Sequence, residues 1–104
     1  MAVSFTRLHP TLRLVAYNLP RVARQLGFSV KITSAYRSPQ KQAKLYQAYL
    51  RGLTPYVVAK PGTSKHEKGL ALDITTDNLT ALVNLLQGVG LRWAGLKDPV
   101  HFEL

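Results

Sequence analysis

The sequence predicts an α+β fold in which a small antiparallel sheet is flanked by about three helices. Three observations lead to this prediction. Apolar residues recur at helical spacing in three segments, they alternate with polar residues in others, and the two kinds of segment are interleaved along the chain. The chain has 104 residues, 46% of them apolar and 18% charged, which is typical of a folded domain. We therefore expect one domain over residues 1–104.

The first predicted helix covers residues 10–26. Pro20 removes one backbone hydrogen bond from it, so we expect a kink or a break near Leu19, and Gly27 is expected to end the helix. In residues 28–33 apolar and polar side chains alternate, which predicts a half-buried strand. The apolar face of the helix consists of Leu12, Val15, Ala16, Leu19, Val22, Ala23 and Leu26.

The second predicted helix begins after Ser38, whose side chain can cap it, with Pro39 in the first turn. It runs to about Arg51 and stops at Gly52. Residues 53–65 contain two prolines and a glycine and are therefore predicted to form a long loop.

A second strand is predicted over residues 70–74, because apolar side chains alternate there with small or polar ones. Its apolar side should face the core, which leaves Asp73 on the other side. A third helix should follow, capped by Thr76 or Asp77 and closed by Gly88.

The end of the chain predicts a hairpin of two short strands, residues 91–93 and 100–104, around a turn that contains Gly95 and Pro99. The last strand has an apolar face with Val100, Phe102 and Leu104 and a polar face with His101 and Glu103.

Composition excludes several classes of protein. The chain has no cysteine, which rules out a disulfide scaffold and a thiolate metal site. Apolar runs are shorter than the ~18 residues that a membrane helix needs, so no transmembrane segment is expected. Residues 1–13 lack the apolar stretch of a secretory signal, so we expect synthesis in the cytoplasm without a signal peptide. Nothing in the pattern indicates an apolar interface, and we expect a monomer.

The net charge of +9 favours a polyanionic partner, such as an anionic cell envelope. The basic residues are spread from Arg7 to Lys97 without a dense block, which is typical of the solvated faces of helices. No nucleic-acid-binding motif accompanies them, so we expect no specific nucleic acid partner, although a basic nucleic-acid binder stays open as an alternative.

Acids and histidines gather in two short segments. Four of the five acids, together with two of the three histidines, lie in residues 66–73 and 98–103. His66, Asp73 and His101 are suited to a catalytic zinc ion, which takes three protein ligands and keeps one position open. By spacing alone, ordinary structural roles for these histidines stay open as well. His9, which precedes a proline, is expected to be a surface residue.

Two further acids fit the same interpretation. Asp98 lies three residues before His101 and could act as the base that takes a proton from water and returns it to a leaving amine. Glu103 shares a strand face with His101 and could accept the second ring N–H of a liganding histidine.

Three motifs resemble those of zinc peptidases that include D-alanyl-D-alanine carboxypeptidases and the L-alanyl-D-glutamate endopeptidases of phage endolysins. Residues 64–73 match Ser-x-His-x-x-Gly-x-Ala-x-Asp without a gap. Residues 98–103 resemble the second motif, an acid three residues before the last metal-binding histidine. Residues 34–39, followed by Gln42, resemble a third element, Ser-x-Tyr-Arg-Ser followed by glutamine.

The resemblance implies a fold like that of the D,D-peptidases and the Hedgehog signalling domain. It implies that one Zn²⁺ is bound by three residues, with Asp98 as general base. It also implies that Arg37 binds substrate or stabilises the oxyanion, with a surface ion pair as the alternative role for this residue. Weaker implications place three further residues along the peptide cleft, although a tryptophan on a short strand is more often a core residue. The implied zinc ligands are His66, Asp73 and His101, and the implied cleft residues are Gln42, Ser64 and Trp93.

The function implied is that of a zinc peptidase that hydrolyses an amide bond in the stem peptide of bacterial peptidoglycan and acts at the cell wall. Because the chain is small and basic, an endolysin-type L-alanyl-D-glutamate endopeptidase is favoured over a D-alanyl-D-alanine carboxypeptidase. In the carboxypeptidase branch a glutamate and a Trp-His pair often stand where this chain has Asp98 and Val100-His101. A zinc-containing binding module without catalysis is a further alternative.

Overall fold

The computed structural model describes residues 3–104. It contains three α-helices, one short 3-10 helix and four strands in an α+β arrangement, which confirms the predicted fold class. The helices are α1 (Pro10–Gln25), α2 (Pro39–Leu50) and α3 (Leu79–Gly88), with the 3-10 helix at Lys65–Lys68. The strands are β1 (Val30–Ser34), β2 (Ala71–Thr76), β3 (Arg92–Trp93) and β4 (His101–Glu103).

The four strands form one antiparallel sheet in the order β1-β2-β4-β3. The predicted terminal hairpin is the β3–β4 pair, and β4 lies beside β2. One face of the sheet packs against α1 and α3 around a core that includes Leu12, Leu19, Ile32, Leu72, Ile74, Leu82, Leu86 and Phe102. Because side chains alternate along a strand, Asp73 and His101 project from the opposite face.

Helix α1 runs unbroken through Pro20, so of the kink or break predicted near Leu19 the break is wrong. Buried side chains lie on both sides of the proline, among them Ala16 and Ala23. Packing of this face outweighs the one backbone hydrogen bond that proline removes. Gly27, with φ +92°, follows the helix as predicted.

The cap of α3 differs from the prediction. Asn78 is the N-cap, and its side chain accepts a hydrogen bond from the Ala81 N–H at 3.1 Å. Asp77 and Thr76 instead bind Ser29 next to β1: the Asp77 carboxylate accepts the Ser29 N–H at 2.9 Å, and the Thr76 hydroxyl donates to the Ser29 carbonyl at 2.7 Å. The Thr76 hydroxyl also accepts the Asn78 N–H at 3.1 Å, so both predicted capping side chains bind Ser29 while Asn78 caps the helix.

A bulge interrupts the β1–β2 pairing beside the polar face. Ile32 pairs with Ile74, whereas Ser34 pairs with Asp73, so Thr33 is an extra residue on β1. Bulges of this kind bend a strand and redirect the side chains that follow. Arg37, three residues after Ser34, reaches Asp73 on the polar face.

Candidate metal centre

Three side chains from three elements meet on the polar face of the sheet. His66 comes from the 3-10 helix, Asp73 from β2 and His101 from β4, and one ligand atom from each lies within 4.8 Å of the others. Asp73 Oδ1 lies 3.1 Å from His66 Nε2 and 3.4 Å from His101 Nδ1. We refer to these three residues as the donor group.

The backbone explains why the donor group assembles. Asp73 and His101 are direct partners in the β2–β4 ladder, so their side chains stand next to each other on one face. The Ser64 side chain accepts the His66 N–H at 3.2 Å and begins the 3-10 helix. Gly69 ends it with φ +69°, and a Cβ at this position would collide with the Arg7 carbonyl oxygen. Only glycine fits this turn, which leads from His66 into β2.

Hydrogen bonds behind the rings orient both imidazoles. His66 Nδ1–H donates to the Ala35 carbonyl at 2.7 Å, and His101 Nε2–H donates to Glu103 Oε1 at 3.0 Å. These bonds leave His66 Nε2 and His101 Nδ1 facing Asp73 Oδ1, and in the neutral imidazoles these are the nitrogens that carry the lone pairs. Two imidazole nitrogens and one carboxylate oxygen, each imidazole held from behind, fit the ligand set and outer shell of a catalytic zinc ion.

Arg37 lies behind Asp73. Its Nη2–H donates to Asp73 Oδ2 at 2.6 Å, and the two side chains are only 15% and 14% exposed. Its Nε–H donates to Ser34 Oγ at 3.0 Å, and its Nη1–H donates to Gln42 Oε1 at 3.3 Å. The sequence motif suggested a contact with substrate, and what the structure adds is this ion pair with one of the donor residues.

Two residues of the donor group, Asp73 and His101, have pKa values that are shifted in opposite directions. Burial acts to raise the pKa of Asp73, but hydrogen bonds from His101 and His66, with the charges of His66 and Arg37, outweigh it and hold the pKa well below its ordinary value. Burial acts to lower the pKa of His101, yet its hydrogen bonds to Asp73 and Glu103 raise that pKa above the ordinary value. Asp73 is therefore ionised over the whole ordinary pH range.

Asp98 lies in the same cavity as the donor group. Partial burial, together with the nearby charge of Asp73, raises the pKa of Asp98 above its ordinary value. Its backbone carbonyl accepts the His101 N–H at 3.0 Å, which fixes the turn before β4. A carboxylate with a raised pKa is a stronger base, as proton transfer from water requires.

The cavity around the donor group has a volume of about 460 Å³. Arg37, Gln42 and Ser64 line it as well. Trp93 does not belong to this lining. Its indole N–H donates to the Pro99 carbonyl at 3.0 Å, so it holds the turn between β3 and β4, and its predicted place in the peptide cleft stays a prediction.

Sequence reasoning missed one wall of the cavity. The loop of residues 54–59, which lies within the predicted long loop, contributes five lining residues: Thr54, Tyr56, Val57, Val58 and Ala59. A loop has no periodic sequence pattern, so the sequence predicted that the loop exists but not that it lines the cavity. Sequence reasoning also missed the Ala35 carbonyl behind His66, because every residue has a backbone carbonyl and the residue type does not indicate which one a histidine will bind. His9 is exposed, as predicted, and caps α1 by accepting the Thr11 N–H at 3.1 Å.

Two imidazoles and a carboxylate in an open cleft, next to a carboxylate that can move protons, define a metal-dependent hydrolase. The family model VanY, D-alanyl-D-alanine carboxypeptidase, matches residues 6–93. The chain belongs to this family and is a peptidoglycan peptidase, as the motifs predicted. Within residues 3–104 no helix has the length and apolarity required to cross a membrane.

Solved structures show the same fold. The vancomycin-resistance D,D-pentapeptidase VanY in complex with Zn(II) superposes with a TM-score of 0.72 at 23% identity, covering 92% of this chain and 71% of that one. VanYB in complex with D-alanine-D-alanine gives 0.72 at 23%, with 92% and 70% covered. The Serratia marcescens L-Ala D-Glu endopeptidase ChiX gives 0.64 at 18%, with 99% and 90% covered. No curated protein gives a significant match to the sequence. The VanY structure contains Zn(II), and the donor group of this chain offers three ligand atoms that could hold a metal ion.

Proposed function

We propose that this peptidoglycan peptidase is a zinc-dependent endopeptidase that cleaves the L-alanyl-D-glutamate bond of the stem peptide. The observation that carries the proposal is the extent of the cavity. Besides the donor group, its lining includes Thr33 on β1, Val100 just before β4 and most of the loop of residues 54–59. An endopeptidase must hold peptide on both sides of the bond that it cuts, and 460 Å³ lies within the range of ligand sites.

His66, Asp73 and His101 would hold the zinc ion, each through the atom that faces the donor group. When bound there, Zn²⁺ lowers the pKa of water to about 7 and polarises a carbonyl oxygen. The residues behind the two imidazoles fix the tautomers in which His66 Nε2 and His101 Nδ1 would face a metal, and Arg37 helps to keep Asp73 ionised.

Asp98 would act as the proton carrier. Its carboxylate takes a proton from the attacking water, and the resulting carboxylic acid gives that proton to the leaving amine. Its raised pKa suits both halves of this role, because the group must accept the proton and hold it until the amine departs.

Arg37 is the only Lys or Arg among the described residues that line the cavity. Its guanidinium has N–H groups beyond those bound to Ser34, Gln42 and Asp73, and a substrate carbonyl or carboxylate would lie against them. Ser64 lines the same cavity and would contribute to the peptide contact.

Mass spectrometry of purified peptidoglycan, digested by the zinc-loaded protein with a chelated control, tests the proposal. Fragments that begin with a new amino-terminal D-glutamate, absent after chelation, are expected. Intact peptidoglycan in the presence of bound zinc would contradict it and would favour a zinc-containing binding module without catalysis.

A D-alanyl-D-alanine carboxypeptidase is the second candidate, and the family model favours it because that is the activity in its description. The structure of VanYB with D-alanine-D-alanine shows that a protein of this fold takes such a ligand. Release of free D-alanine from a pentapeptide stem, with the L-alanyl-D-glutamate bond intact, would establish this activity in place of the endopeptidase.

We also propose that the net charge of +9 draws the protein to the anionic cell envelope. Binding to purified wall should weaken as salt shortens the Debye length, which is about 8 Å at physiological ionic strength. Tighter salt-dependent binding to DNA than to wall would instead favour a nucleic-acid binder.

A further inference from the structure

We infer that Gln42 is a positioning residue that connects one wall of the cleft to the donor group. It contacts the loop of residues 54–59 at one end of its amide and Arg37 at the other, and Arg37 holds Asp73. The inference rests on the proposed function, since it takes Asp73 to be a zinc ligand. It assigns to Gln42 a role through its neighbours rather than a contact with the peptide.

The surroundings of Gln42 fix its amide in one orientation. The residue is 1% exposed. Its Oε1 accepts Arg37 Nη1–H at 3.3 Å, and its Nε2–H donates to the Ala59 carbonyl at 2.9 Å. Since a guanidinium can only donate and a carbonyl can only accept, the reversed amide would lose both bonds. Because this buried amide cannot turn, it fixes the position of the Arg37 guanidinium relative to the Ala59 carbonyl.

Arg37 transmits that position to the donor group. Each of its three guanidinium nitrogens has a partner, namely Ser34 Oγ, Gln42 Oε1 and Asp73 Oδ2. Three contacts around a planar group fix the plane of that group. The bond to Asp73 Oδ2 then keeps Oδ1 directed at the two imidazoles.

The loop of residues 54–59 depends on the same amide. Val57 at its centre is 75% exposed, so burial does little to hold it. Within the described part of the chain, the bond from Gln42 to Ala59 is the one hydrogen bond between this loop and another element. Five of the six loop residues line the cavity. Loss of the Gln42 bond should therefore loosen a wall of the cleft.

A contact that supports both features couples them in both directions. If the seated loop helps Arg37 hold Asp73, then zinc bound at Asp73 helps to seat the loop, because coupling between two sites is reciprocal. Metal occupancy and peptide binding are then linked through Gln42, to which this assignment gives no contact with either the ion or the peptide.

Two substitutions distinguish the effects of the two hydrogen bonds made by the Gln42 amide. Gln42→Met keeps the length of the side chain and removes both bonds, and we expect about a tenfold loss of zinc affinity, the lower end of the range for groups that support metal ligands, together with a raised KM. Gln42→Glu keeps an acceptor for Arg37 and removes the donor to Ala59. We expect this variant to raise KM as well. Its zinc affinity should stay within about threefold of the parent, because the hydrogen bond to Arg37 is kept.

Gln47→Met is the matched control, because Gln47 is an exposed residue of the same helix. It should leave zinc affinity and KM unchanged. Zinc affinity would be measured by chelator competition, and the visible spectrum of the Co²⁺ form would report the geometry at the metal. Equal zinc affinity in Gln42→Met and Gln47→Met would overturn the inference.

The parent protein provides a test that does not depend on the folding of a variant. Hydrogen exchange of residues 54–60 should slow when zinc is added to the metal-free protein, and unchanged exchange in a protein that binds zinc would overturn the coupling. If the parent neither binds zinc nor cleaves peptidoglycan, it is the proposed function that fails. If it does both and Gln42→Met matches it, only the inference about Gln42 fails.

Discussion

Asp73 and His101 are neighbours in the sheet, and each is held from behind by a different hydrogen-bond network. The Arg37 network consists of Arg37, Ser34 and Gln42 behind Asp73, and the Glu103 network consists of Glu103 and Arg92 behind His101. Both have the same plan, in which a charged partner holds the ligand and a second group holds that partner.

The two networks differ in burial. The side chains of Arg37 and Asp73 are 15% and 14% exposed, whereas Arg92 is 69% exposed where it meets Glu103. Water screens an exposed ion pair, and such a pair contributes about 0–1 kcal/mol to stability. Breaking a buried pair costs several times more, because one charge is left without a partner. The comparison teaches that Arg37 should contribute far more to stability than Arg92, because its ion pair is the buried one.

The largest effect is expected from a residue whose side chain belongs to neither network. Asp98→Asn should lower turnover by about 10²–10⁴-fold, the usual contribution of a general acid-base group, while zinc affinity stays at the parental value. Peptide release measured by mass spectrometry, with chelator competition in parallel, checks both. Loss of zinc in this variant would show that Asp98 belongs to the donor group, and unchanged turnover would show that it carries no proton.

The next effect should come from the buried network. Arg37→Met leaves the Asp73 carboxylate without its cation, and we expect the free energy of unfolding of the metal-free protein to fall by about 3 kcal/mol. Zinc affinity should fall by about 10–100-fold. Urea unfolding after treatment with a chelator measures the first quantity, and chelator competition measures the second. A stability within 0.5 kcal/mol of the parent, on the order of a surface pair, would refute the proposed weight of this ion pair.

Arg92→Met is the matched substitution in the exposed network. Because Glu103 still accepts the His101 ring N–H, the free energy of unfolding should fall by less than about 1 kcal/mol and zinc affinity by less than about threefold. The same two measurements apply. If Arg92→Met and Arg37→Met have equal effects, burial is not what distinguishes the networks.

The smallest effect is expected at Asp77, an exposed carboxylate remote from both networks. Its hydrogen bond from the Ser29 N–H lowers the pKa of Asp77 below the ordinary value, so it contributes stability at pH values above its unfolded pKa. This contribution is lost as the pH falls through the lowered pKa of the folded state. Asp77→Asn should therefore flatten the acid limb of the stability profile, seen as urea midpoints between pH 6 and pH 3. A steeper acid limb in the variant would reverse the assigned direction.

The donor group and the sheet around it follow from sequence to a large extent. Alternation of apolar and polar residues placed Asp73 and His101 on the polar faces of two strands, and the β2–β4 register brings those faces together. The alternation of apolar and polar residues predicts which face of the sheet a side chain lies on, but it does not predict which side chain it contacts there. The ion pair of Arg37 with Asp73 depends on the bulge at Thr33, where one extra residue shifts the chain that follows. No local sequence pattern predicts that Thr33 is a bulge residue.

The errors have the same physical origin. Thr76 and Asp77 are good capping residues by local rules, but Ser29, distant in sequence, binds both of them. Pro20 is a helix breaker by local rules, yet the packing of α1 on the sheet preserves the helix. In each case tertiary contacts exceed a preference of about 1–3 kcal/mol, which the sequence alone cannot weigh.

The strand order β1-β2-β4-β3 also bears on how the protein folds and acquires its metal. β4 pairs with β2 across the whole of α3, so His101 reaches Asp73 only when the sheet has closed. An unfolded chain then lacks the complete ligand set, and zinc binds almost only to the native state. Zinc in 100-fold excess over its Kd would add about 2.7 kcal/mol to the free energy of unfolding. A zinc ion bound by His66, Asp73 and His101 would thus stabilise the pairing of β4 with β2, and the zinc supply would set how much folded enzyme persists under heat or denaturant.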